Sequence, residues 1–107
     1  MIVTTTDHVW GQEVQETLGL VRGSSIRTRH VFADFVEFLR NLAGMELQHY
    51  TKMMAETREQ ALDRMTEQAR QMGADAVLNI RFATSSIASG ASEMLAYGTA
   101  VKMTPKG

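Results

Sequence analysis

The chain contains no cysteine at all. Disulfides and thiolate metal sites are thereby excluded, and the composition suits a reducing compartment, so a cytoplasmic protein is expected. The first residues, "MIVTTTDHVWGQ", lack a basic stretch followed by an apolar one and read as no secretory signal. No apolar run approaches the ~20 residues that cross a bilayer, so no membrane partner is expected. An excess of one charge is also missing. Eleven basic residues face twelve acidic ones for a net charge of −1, which argues against a general nucleic-acid binder. The signatures of common catalysts are absent too: no G-x-S-x-G elbow, no phosphate-binding glycine loop and no H-E-x-x-H. Asp7 and His8 could form part of an acid–base pair, but nothing in the sequence orients them. The expectation is a protein that is no enzyme and needs no cofactor.

What is present reads as one domain over residues 1–107, with 103–107 as a tail. A fold this small buries a core with little stability to spare, and association often supplies the margin. A β-branched run, Ile2–Thr6, precedes a turn region at Asp7–Gly11. From Glu13 to Ile26 the pattern alternates loosely, with Val14, Leu18, Leu20 and Ile26 sharing one parity, as in a long bent strand. Gly19 and Gly23 within it suggest a bulge or a close backbone approach. In "HVFADFVEFLRNLAG", Phe32, Phe35, Val36, Leu39 and Leu42 fall on one helical stripe. A second, longer helix is predicted from Glu46 to Met72, with Leu47, Tyr50, Met54, Ala61, Met65, Ala69 and Met72 at helical spacing. Gly73 should end it in a left-handed conformation, with Arg70 suited to the negative end of the dipole. Such a bend is a structural corner, because phosphates prefer the opposite end of a helix.

Strict alternation follows: Ala76, Leu78, Ile80 and Phe82 point one way, and Val77, Asn79, Arg81 and Ala83 the other. "TSSIASGAS", residues 84–92, reads as a polar loop that returns into "EMLAYGTAVKM" and closes an antiparallel hairpin. In that last strand Leu95, Tyr97, Val101 and Met103 share a face. Ala96, Gly98 and Ala100 give the other face little bulk, so that a helix or a second chain could approach closely.

"GADAVLNIRF", the preceding "ETREQALDRMTEQARQM" and the closing "YGTAVKM" together resemble the YbjQ-like family of small bacterial proteins. "VTTTDHVWGQEVQETLGLVRG" is similar at the front, and one departure is Gly44-Met45, where the family commonly has a glycine pair. The resemblance covers nearly the whole chain. It implies an α+β, dodecin-like subunit, an antiparallel sheet packed on two helices, one of them long, that typically assembles into a cyclic homo-oligomer of five. Members are often labelled heavy-metal-binding, with no established reaction.

The candidate metal ligands are His30 with Asp34, and Glu46 with His49, each pair at helical spacing. Neither completes a coordination shell alone, so a ring would have to supply repeated copies. The methionines of the long helix read as core or subunit contact, since Met fills irregular gaps. Arg27 and Arg29, in "RTRH" ahead of a helix, are candidate anion ligands. Ala96, Gly98, Ala100 and Trp10 are candidates for an oligomer interface. Two readings stay open. One is a non-enzymatic oligomeric binding or scaffold protein with a small-ligand site at subunit clefts or the ring axis. The other is a metal-handling protein using His, Glu and Asp ligands repeated around the ring.

Overall fold

The computed structural model describes residues 1–28, 46–88 and 91–106. Strand β1 (Ile2–Val3) is followed by β2 (Gln12–Thr28), helix α1 (Glu46–Gln71), β3 (Ala76–Ala88) and β4 (Ala91–Pro105). The strands form one sheet in the order β1-β3-β4-β2. β4 pairs antiparallel with both β2 and β3, whereas β1 pairs parallel with β3, so the sheet is mixed rather than purely antiparallel. The segment 30–44, read above as the shorter of two helices, lies outside the described residues.

α1 lies across one face of the sheet because its stripe is small and apolar. Ala61, Met65 and Ala69 are fully buried against Val21, Val77, Ile80, Met94, Ala96 and Ala100. The approach is closest at Gly23, where a Cβ would run into the helix backbone at Ala61, Arg64 and Met65. The sequence-level alternatives for the two strand glycines are both realised. Gly23 serves a close approach, and Gly19, at φ 131°, sits at a β-bulge. Two side chains of α1 also wrap the outer edge of β2: the Arg22 amide donates to Gln68 Oε1 at 2.7 Å, and Arg64 Nη1 donates to the Ser24 carbonyl. Backbone groups that would otherwise invite strand pairing are thus occupied.

The helix stops as the sequence predicts. Gly73 takes φ 81°, its amide bonds the Arg70 carbonyl at 3.0 Å, and the Ala74 amide reaches back to Ala69 at 3.1 Å. These two bonds are the Schellman pattern, which satisfies carbonyls the helix end would leave free. Asp75 then turns the chain into β3, its Oδ2 accepting from the Met103 amide at 2.9 Å.

Three expectations need correction. The alternation of β3 breaks at a bulge between Leu78 and Arg81, where Asn79 is left-handed at φ 55°. Ile80 therefore joins Val77 under the helix, while Ala76 and Leu78 belong to a second cluster with Val101, Met103 and Val9 on the far face. In β2 the bulges break the shared parity of Val14, Leu18, Leu20 and Ile26: Leu18 packs on the cluster under the helix with Val21, while Val14, Leu20 and Ile26 face away from it. Residues 84–88 and 91–92 are not a loop. They are paired strand, as in Thr84 with Met94 and Ser86 with Ser92, because a backbone ladder forms without apolar side chains.

Candidate functional site

The most elaborately held surface feature is the connection between β1 and β2. The bulge at Asn79 aims two successive amides outward, Asn79 to the Thr6 carbonyl at 2.9 Å and Ile80 to the Thr4 carbonyl at 3.0 Å. Arg81 Nη1 adds a bond to the Thr5 carbonyl at 3.0 Å. Within the connection, Thr6 Oγ1 donates to the His8 carbonyl at 2.6 Å, and the Thr6 amide donates to Thr4 Oγ1 at 3.2 Å. That leaves the Thr4 hydroxyl to donate to Thr6 Oγ1 at 2.9 Å. The far end is fixed by Gln12, whose amide bonds Val9, and by Lys106, whose amide bonds the Gly11 carbonyl at 2.9 Å.

This frame presents a cavity of about 580 Å³, open to solvent and lined by His8, Val9, Trp10, Gly11, Gln12 and Lys106. Trp10 is 93% exposed, and a Cβ at Gly11 would meet only empty space. His8 Nδ1 lies 2.7 Å from Asp7 Oδ1, so Nε2 is the ring nitrogen left for another partner. The hydrogen bond from His8, and then its charge, hold the Asp7 carboxyl below the usual carboxylate range. The acid–base pair that the sequence left unoriented is thus formed, on the rim of a cavity.

Of the other expected site residues that are described, Trp10 alone lines it. Ala96 and Ala100 are fully buried beneath the chain's own helix. A Cβ on Gly98 would meet Val77 Cγ1 at 2.8 Å and the Leu78 carbonyl at 2.9 Å. The close approach these small residues permit is therefore used within the subunit, which corrects their placement at an oligomer interface. Trp10 forms a wall of the cavity. Glu46 and His49 lie in the first turn of α1, with their side chains outside the described residues, as is that of Arg27 in β2. Arg29, His30 and Asp34 lie outside the described residues altogether. Among the described residues no group of three or more His, Cys, Asp or Glu could hold a metal ion, and none of the described helices is long and apolar enough to cross a membrane.

A second surface was missed by sequence reasoning. On the sheet face away from α1, the register aligns Leu20 with Thr99 and Leu78, and Arg22 with Tyr97 and Arg81. Leu20 is 64% exposed, Ile26 52% and Val14 43%. Neither arginine has a carboxylate partner among the described residues. The signal was the even parity of β2, readable in the sequence but without a side assigned to it. Lys106 was also missed, because it falls in a stretch read as tail, whereas pairing of Gln12 with Pro105 carries it to the cavity.

A mixed four-stranded sheet under one described helix defines a small α+β protein. The model of the YbjQ-like family, described as "Putative heavy-metal-binding", matches residues 1–104. A UPF0145 protein of Halorubrum lacusprofundi is 54% identical over 103 residues, covering 96% of this chain and 99% of that one. One of Methanosarcina acetivorans is 52% identical, covering 96% and 97%, and one of Vibrio parahaemolyticus 50%, covering 96% and 98%. The chain belongs to this YbjQ-like, UPF0145 family. In fold it is similar to a crystal structure of a protein of unknown function from Pediococcus pentosaceus, with TM-score 0.62 and 17% identity over 97% of this chain and 98% of that one.

Proposed function

We propose that the protein is a non-enzymatic homo-oligomeric scaffold with a small-ligand site, its subunits joined through the sheet face that α1 leaves open. The observation that carries this reading is the exposure of Val14, Leu20 and Ile26, spaced along β2 on the sheet face away from α1. A domain this small gains stability when a second copy covers such side chains. The open face carries Arg22 and Arg81 with Glu93 beside Ile26, and α1 exposes Glu56, Glu59, Asp63 and Glu67 interspersed with Lys52, Arg58, Arg64 and Arg70. Contact between these two different faces is heterologous, and such contacts close into rings when the rotation allows. A double variant, Leu20→Asp with Ile26→Asp, tests the reading by sedimentation velocity. Dissociation with the fold intact by circular dichroism supports it, and an unchanged sedimentation coefficient overturns the role of this face.

The description of the family as heavy-metal-binding supports a second reading, in which Glu46 with His49, or His30 with Asp34, act in copies around a ring. Calorimetric titration with zinc, copper or nickel tests it. Saturable heat abolished by His49→Ala or His30→Ala favours metal handling, and flat titrations favour the scaffold.

A further inference from the structure

We propose that the cavity between the β1–β2 connection and the end of β4 binds a small planar aromatic acid, its ring against Trp10 and its carboxylate held by Lys106 and His8. The inference names a ligand class for the small-ligand site of the reading above and rests on that part of it. It needs no assembly, because one chain supplies every lining residue.

Size comes first. About 580 Å³ falls within the range of sites for small molecules, roughly 300–1,000 Å³. Shape follows from Trp10 and Gly11. The indole, 93% exposed, offers a flat apolar wall, and Gly11 leaves the space beside it free of any side chain. A planar ring covers such a wall better than an aliphatic chain, since offset stacking adds to simple burial. Val9 adds apolar lining.

Charge selects the acid. Lys106 is exposed and has no carboxylate partner among the described residues. Asp7, the nearby acid, is already engaged by His8 Nδ1. With His8 protonated, Asp7 and His8 cancel, and the ammonium of Lys106 remains. Nε2–H of His8 can then donate to one carboxylate oxygen while Lys106 pairs with the other. The hydrogen bonds that tie Thr4, Thr5 and Thr6 to Asn79, Ile80 and Arg81 fix this loop before any ligand arrives, which lowers the ordering cost of binding.

Trp10 is the sole tryptophan, so fluorescence excited selectively at tryptophan reports this cavity alone. The full chain is titrated with benzoate, with benzamide as the uncharged control and acetate as the ringless one. The expected result is a saturable change with benzoate, with benzamide and the Lys106→Ala variant each about fivefold weaker, as loss of one exposed charge pair implies. Lys106→Arg restores the parent affinity, and acetate leaves the emission unchanged. A flat benzoate titration, or equal response from benzoate and benzamide, overturns the proposal. So does a Trp10 emission that shifts on dilution without ligand, because a second copy then covers the indole. Failure of the scaffold reading is seen separately, in the mass of the ligand-free protein.

Discussion

Gly23 and Gly98 each occupy a place where a side chain has no room, and they differ in what would have to move. At Gly23 the obstacle is helix backbone, which cannot rotate away. At Gly98 the nearest atoms are Val77 Cγ1 and the Leu78 carbonyl. Gly23→Ala should lower stability by about 1–3 kcal/mol through overpacking, and Gly98→Val by a similar amount, both read from thermal melting. Gly11→Ala meets no atoms, so any loss there comes only from its φ of 80°. Asp7 yields a pH prediction. Its folded pKa is depressed, so its pairing with His8 is present above the ordinary aspartate pKa of about 3.9 and is lost as pH falls through the lower folded value. Side-chain carboxyl NMR should place the Asp7 midpoint below the ordinary one, and His8→Ala should return it there.

Among the elements, α1 was legible almost to the residue. Its apolar spacing, its lack of proline and Gly73 each act locally, and the helix runs Glu46–Gln71 as those signals require. β3 was legible as a strand but not in its faces. A strict period of two cannot show that Asn79 turns left-handed and moves Ile80 beneath the helix; asparagine tolerates that conformation, but the sequence does not announce it. Replacing Asn79 tests the bulge. Asn79→Gly should keep stability, whereas Asn79→Val should lower it by about 1–3 kcal/mol, since a β-branched residue strains at positive φ. The paired stretch 84–88 was misread because serine and threonine signal turns, while hydrogen bonds across to β4 fix the backbone regardless of them. The cavity was half legible. Asp7, His8 and Trp10 stood out by chemistry, but Lys106 reaches it only through the pairing of β4 with β2. Truncating the central core side chain, Met65→Ala, should destabilise the chain by about 2–5 kcal/mol in denaturant unfolding.

At the scale of the molecule, the chain is long and thin, 59 × 28 × 18 Å, with a radius of gyration of 17.4 Å. A compact domain of this length has a radius near ~13 Å. β2 explains the difference, since its 17 residues extend roughly 56 Å at ~3.3 Å each. Such a shape covers one sheet face with its own helix and leaves Val14, Leu20 and Ile26 on the other facing water. We propose that copies of the chain cover that face. Light scattering coupled to gel filtration at micromolar concentration tests it most directly. The expected result is a homo-oligomer, with a mass near five times the 11.9 kDa of one chain; a stable species of 11.9 kDa at micromolar concentration would overturn it.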